Sequence, residues 1–297
     1  MRILKVMLGV YAAVSVLGGS VFAEELSRRS GIPPEAGKGS IQIKGSDTMV
    51  NLGQAWAEEF SRNNPRVNAA VTGGGSGTGI AALIAGTADI AISSRTMKEK
   101  EINKAKQNGI EPFEIKAALD GLAVVAHPAN PVSRLTIDQL SDIFTGKIKN
   151  WKEVGGSNLQ IVILSREVNS GTHVYFKEHV LRRGDEKSVE EFSPAALLMP
   201  SSQAIAEEVS QNPNAIGYYG MGYISQKQKV ISVAKDANSP YIGPVMKNVQ
   251  DNSYPISRPL LLYTKGQPQG IVKAFVDFAL STEGQEIVEK TDFVPIK

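Results

Sequence analysis

The chain contains no cysteine. Disulfides, zinc–thiolate sites, thiol nucleophiles and a lipidated N-terminal cysteine are therefore excluded. Histidine is scarce: His127, His173 and His179 are the only three, and their spacing matches no metal motif. Beyond the N-terminus no stretch reaches the roughly 20 consecutive apolar residues that a membrane-spanning helix needs. Net charge is also missing. The formal +2 equals the contribution of Arg2 and Lys5, so the rest of the chain is neutral. A neutral chain is a poor partner for nucleic acid or for an anionic membrane surface. No repeat of fixed period occurs, which removes solenoids and propellers.

What is present begins with a leader. Arg2 and Lys5 precede an apolar run over residues 6–17, and Val21-Phe22-Ala23 puts small residues at the −3 and −1 positions of a cleavage site. This is the layout of a secretory signal peptide cut after Ala23. Residues 24–40 hold Pro33, Pro34 and scattered Gly and Ser without periodicity, and are predicted to be a flexible leader. An exported chain of about 270 residues without disulfides must be held by its core, as one large domain or two smaller ones.

From residue 41 onward strands alternate with helices. Strands are expected at 41–43, 67–71, 89–93, 121–126, 159–164, 215–219 and 260–263. Helices are expected from Met49 past Phe60, at 80–85, through Lys106, and at 137–144, 173–181, 203–210 and 271–280. Such alternation predicts an α/β fold with a mixed, mainly parallel sheet. Trp56 and Trp151 are assigned to the core, and the charges from Lys98 to Lys106 to a solvated face.

Four loops share one chemistry. "GSDT", "GGGSGT", "SSRT" and "SREVNSGT" each follow a predicted strand, carry Ser or Thr and precede a helix. In parallel α/β sheets such loops lie at the carboxyl ends of the strands, where ligands bind. Helix starts there offer unpaired N–H groups and a partial positive charge. Glycines let amides approach an anion closely, and Arg95 and Arg166 add planar cationic donors suited to a tetrahedral oxyanion. Any one loop alone reads as an ordinary N-cap. Four together, two with an arginine, read as an anion site.

Competing motifs fail on specific residues. No Lys-Ser/Thr pair follows the glycines, so the loop is not a P-loop. Gly77, Gly79 and Ala82 satisfy a lax dinucleotide fingerprint, but Ser93-Ser94-Arg95 stands where an acidic residue should meet a ribose. The sequence Gly74-Gly75-Ser76-Gly77-Thr78 breaks the nucleophile-elbow pattern at its last position. His173 follows Ser170 and Thr172 and is assigned to the first turn of a helix in preference to a catalytic base.

The motifs "GSDTM", "GGGSGTGI", "LSDIFTGKIKNW", "SREVNSGTH", "AIGYYG" and "LSTEGQEIVEKTDFVPI" resemble those of the periplasmic phosphate-binding proteins of bacterial ABC importers, the PstS family. The similarity runs from about Ile41 to Ile296. It implies a two-lobed periplasmic-binding-protein fold, type II-like, that closes on phosphate at a hinge. Lobe one would be residues 41–117 plus 257–297 and lobe two 118–256, with crossings near 118–122 and 254–258. Carried over residue by residue, the resemblance puts phosphate donors at Thr48, the Met49 amide, Ser76, Arg166, Ser170, Gly171 and Thr172. Ser46 and Ser94 are additional candidates. Some members place an aspartate after the third strand to accept the proton of hydrogen phosphate, and this chain has Arg95 there. Asp120, then Asp47, are the candidate acceptors. The expectation is a non-catalytic periplasmic receptor that needs no cofactor or metal, hands phosphate to a membrane permease and is a monomer. The alternatives are a receptor for sulfate, molybdate or tungstate, or an exported phosphatase with Thr48 or Ser170 as nucleophile.

Overall fold

The computed structural model describes residues 39–296. The signal peptide, its cleavage site after Ala23 and the leader as far as residue 38 lie outside the described residues. The first strand, β1 (Gly39–Gly45), starts two residues earlier than expected, because Gly39 and Ser40 already pair with Val67 and Asn68 of β2 (Val67–Thr72). Parallel pairing continues from β1 to β3 (Ile90–Ser93), whose four residues are all buried.

Helix α1 (Val50–Asn63) covers one face of these strands. Leu52, Trp56 and Phe60 recur at helical spacing and are buried to within 1%. The Trp56 indole N–H donates to Gly284 O, tying α1 to α9 (Thr282–Lys290). The ring of Phe60 meets Phe275 of α8 (Gly270–Ala279) edge-on at 5.3 Å. The other face carries α2 (Ser76–Ile84) and α3 (Glu99–Gln107).

Helix α2 begins four residues before the expected position, inside the glycine loop. Gly75, at φ 93°, turns the chain into it. Gly79 then sits directly on β1, where a Cβ would fall 2.3 Å from Lys44 O.

The central ribbon is β4 (Pro112–Ala126), far longer than the expected 121–126. Its residues 112–121 pair antiparallel with β10 (Ser257–Lys265), which also pairs antiparallel with β3. From Leu122 on, β4 exchanges that partner for β8 (Ala215–Gly220) and β9 (Lys229–Ala234). Parallel strands then continue outward through β6 (Val162–Arg166) to β7 (Leu197–Met199), while β5 (Arg134–Thr136) pairs parallel with β9. The molecule is thus an α/β protein with a curled mixed sheet in a two-lobed, type II-like arrangement.

In the second half the main core is built of stacked rings. Phe176 lies 3.8 Å from Tyr218 and 4.7 Å from Phe144 of α4 (Ile137–Phe144). Edge and stacked geometries of this kind add to the burial of large apolar area. Trp151 is buried here, as expected. The expected helix 173–181 is instead α5 (Gly171–Phe176), followed by a π turn over Lys177–Leu181. Helix α6 (Ser202–Gln211) is capped by Ser201, whose hydroxyl accepts from Ala204 N–H. A short helix, α7 (Met246–Gln250), precedes the return of the chain to β10. Among the described residues no helix is long and apolar enough to cross a membrane.

Candidate functional site

Four strand ends bring their loops to one point between the two halves. Behind β1 stand Ser46 and Thr48, behind β2 Ser76, behind β3 Ser94, and behind β6 Ser170 and Thr172, each buried to 3% or less. Five of these hydroxyls contact one another directly, while Ser170 Oγ caps α5 by accepting the His173 N–H at 3.4 Å. Thr48 Oγ1 lies 2.8 Å from Thr172 Oγ1, a bond between the two halves of the molecule. Ser46 Oγ donates to Ser94 Oγ at 3.0 Å, and Ser76 Oγ lies 3.3 Å from Ser94 Oγ while accepting the Ser94 N–H. Gly171 closes the cluster, since a Cβ there would lie 2.3 Å from Ser76 Oγ and 2.6 Å from Ser94 Oγ. Met49 is fully buried beside Thr48, and its N–H donates to Ser46 O.

A cation that sequence reasoning did not assign to the site underlies this cluster. Arg258, on β10 where the chain re-enters the first half, donates through Nη2 to Thr172 Oγ1 at 3.0 Å and more weakly to Thr48 Oγ1 at 3.4 Å. The same guanidinium donates through Nε and Nη2 to Asp120 Oδ2 at 2.9 and 2.7 Å, and through Nη1 to Ser94 O. Both side chains of this pair are 0% exposed. Burial pulls the Arg258 pKa below its ordinary value, and the Asp120 carboxylate opposes that pull. Asp120 Oδ1 accepts the Met221 N–H, and Gly220 holds the carboxylate beside Thr48.

Arg166 occupies a second, separate ion pair. Its Nη1 lies 3.1 Å from Asp47 Oδ2 and donates to Ser202 Oγ, and its Nη2 donates to Pro200 O. Asp47 Oδ2 also accepts the Ser202 N–H and hydroxyl, each at 2.9 Å. Arg166 therefore adjoins the hydroxyl cluster from β6 but spends these donors on Asp47, Ser202 and Pro200.

Arg95 is directed elsewhere. Its guanidinium makes a fork to Glu101 at 2.8 and 2.7 Å and donates to Thr96 O, with no bond to any hydroxyl of the cluster. Burial alone would raise the Glu101 carboxyl, yet the bonds from Arg95 and from the Lys98 N–H hold it below its ordinary value. The structure thus brings together Ser46, Thr48, Met49, Ser76, Ser94, Asp120, Ser170, Gly171 and Thr172, sets Arg166 with Asp47 at one side, and leaves Arg95 outside.

The cluster can hold an anion without net charge of its own. Each arginine is matched by an aspartate, so stabilisation of a bound oxyanion falls to oriented O–H and N–H dipoles. Hydroxyls that now bond to each other can turn their protons to an incoming oxygen at little cost. His173, which follows Thr172, is no base for these hydroxyls. Its Nδ1 faces Ser165 Oγ at 3.3 Å, and burial lowers its pKa to about 4.

Comparison with known proteins shows the family of the chain. A family model described as a PBP superfamily domain matches residues 32–283. The chain is 32% identical over 305 residues to the phosphate-binding protein PstS of Pseudomonas aeruginosa, covering 97% of this chain and 91% of that protein. It is 33% identical over 263 residues to the PstS of Bacillus subtilis, covering 88% and 82%. A solved phosphate ABC transporter substrate-binding protein from Clostridium perfringens, described as putative and carrying bound phosphate, superimposes with a TM-score of 0.77 at 36% identity, over 87% of this chain and all (100%) of that one. An ABC-type phosphate transport receptor from Vibrio cholerae gives 0.69 at 31% identity, over 86% and 99%. On the extent of these matches, the chain belongs to the PBP superfamily and, within it, to the PstS phosphate-binding proteins.

Proposed function

We infer that this protein is the solute-binding component of a phosphate ABC importer: it captures inorganic phosphate between two lobes and presents it to a membrane permease. The observation that carries the reading is the direct contact of buried hydroxyls from both halves over Arg258. A tetrahedral anion placed there would exchange hydroxyl–hydroxyl bonds for charge-assisted ones. The donors we assign to it are Ser46, Thr48, Ser76, Ser94, Ser170, Thr172 and Arg258, with Arg166 at the rim. The reading includes no catalytic step.

The lobes in this reading follow residues 41–117 with 257–297, and 118–256. The partner change of β4 between Gly121 and Leu122 supports a first crossing there. The bond from Leu122 N–H to Ile256 O supports a second crossing close by. Export to the periplasm rests on the leader sequence.

Asp120 is the better of the two candidate proton acceptors. It lies beside Thr48 and shares Arg258 with the cluster, whereas Asp47 faces Ser202 and Arg166. Calorimetric titration tests both statements. Phosphate binds and sulfate does not compete, and Asp120→Asn admits sulfate because the carboxylate that repels a fully ionised oxyanion is gone. Absence of phosphate binding to the purified protein refutes the function, and unchanged sulfate exclusion in Asp120→Asn refutes the acceptor.

A further inference from the structure

Bonds cross between the two halves in several places, among them the β4–β10 pairing, the Leu119–Val294 backbone pair and the Tyr175 hydroxyl to Ser257 O. Those among Thr48, Thr172 and Arg258 lie where the anion is proposed to sit and would be rearranged by it. Two further groups lie outside the cluster, on two rims. On one rim Asn169, from the loop after β6, reaches the glycine loop: its backbone O accepts the Gly77 N–H at 3.0 Å, and its Nδ2 donates to Gly74 O at 3.0 Å and to Thr78 Oγ1 at 3.4 Å. The fit is tight, since a Cβ on Gly75 would come within 2.8 Å of Asn169 O. On the other rim Asp47 receives Ser202 and Arg166, and its backbone O accepts the Tyr223 hydroxyl at 2.9 Å. Among the described residues neither the Asn169 nor the Asp47 side chain bonds a hydroxyl of the cluster.

We propose that Asn169 and Asp47 are positioning residues for anion capture, latching the closed form from opposite rims without touching the anion. The inference deepens the phosphate-receptor reading and rests on it. Phosphate meets the open cleft and closure follows, so overall affinity rises with the degree to which the loaded protein stays closed. Latch bonds therefore set affinity through the closed population and through the rate of opening, while the encounter of phosphate with the open cleft is indifferent to them. Asn169 is exposed and its backbone contact survives truncation, so it is the cleaner probe. Asp47 neutralises buried Arg166, and its loss also burdens folding.

The test is stopped-flow phosphate binding by Asn169→Ala and, where it folds, Asp47→Asn, with small-angle scattering of the phosphate-free proteins. The Asn169→Ala dissociation rate rises by about threefold to tenfold, the span expected for one neutral hydrogen bond. Its association rate stays within about twofold of wild type, since affinity changes at one site fall mainly on dissociation. The phosphate-free variant also scatters with a larger radius of gyration. An unchanged dissociation rate in Asn169→Ala, with wild type binding normally, overturns the latch and leaves the receptor reading standing. A loss carried mainly by the association rate overturns it equally. Wild-type protein that captures no phosphate removes the receptor reading itself.

Discussion

Replacing Arg258 by methionine tests the electrostatics of the site most directly. The substitution keeps much of the side-chain volume but deletes two bonds to Asp120, one to Ser94 O and the contacts to Thr172 and Thr48. Asp120 then retains the Met221 N–H against the burial of a full charge at 0% side-chain exposure. Breaking a buried pair from one side costs about 3–5 kcal/mol, because an uncompensated charge is left behind. At about 2–4 °C per kcal/mol for a protein of this size, the melting temperature falls by about 6–20 °C. Asp120→Asn strands the guanidinium and is also destabilising. The double variant contains neither orphan charge, so its loss is smaller than the sum of the two single losses by about 2–3 kcal/mol, within the range of contacting residues. Urea unfolding followed by circular dichroism, without phosphate, measures all four corners of the cycle. Single losses below about 1 kcal/mol, or strictly additive losses, refute the claim that the two charges depend on each other.

Three further outcomes follow from the geometry. Thr48→Val and Thr172→Val each remove one donor from the cluster and lower calorimetric phosphate affinity by about fivefold to tenfold, with less than additive loss in the double variant because the two hydroxyls share a bond. An unfolded chain protonates His173 below about pH 6.5, whereas the folded imidazole resists until about pH 4. Unfolding therefore takes up a proton in that window, and stability falls by about 3 kcal/mol as pH drops through it; His173→Gln flattens the slope in urea midpoints measured against pH. Gly79→Ala forces a Cβ to 2.3 Å from Lys44 O and 2.5 Å from Gly45 Cα, and unfolds at lower urea by about 1–3 kcal/mol or more, since the obstacle is backbone.

The hydroxyl cluster was legible in the sequence because its parts are local. A strand, a short hydroxyl-bearing turn and a helix can be read within about ten residues, and parallel pairing then forces the turns to one edge of the sheet. Helix 137–144 was placed to the residue because Leu140, Ile143 and Phe144 share one apolar face, and the structure shows that a capping box of Thr136 and Gln139 fixes its start. Arg258 was read only as the end of a hinge. Its signal was an arginine next to the apolar run "PLLLY", a place where a charge demands a buried partner. Arg95 misled for the opposite reason: its counter-ion, Glu101, lies on the following helix, and proximity in sequence to Ser94 suggested a shared target. The first part of β4 was missed although its signal was present: Glu114 and Lys116 alternate with buried Ile115 and Ala117, the pattern of a strand with one wet face. Asn169 had no signal, being a polar loop residue whose partners lie about 95 positions away in sequence.

The shared ribbon β4 constrains how such a molecule can move and come apart. Fifteen residues of strand span about 50 Å. A flexible tether would let each half wander, but a hydrogen-bonded ribbon yields by torsion about its own axis, so access to the interior is a rotation with few degrees of freedom. Heat or denaturant that melts β4 removes a paired strand from the sheets of both halves at once, since residues 112–121 pair with β10 and residues 122–126 with β8 and β9.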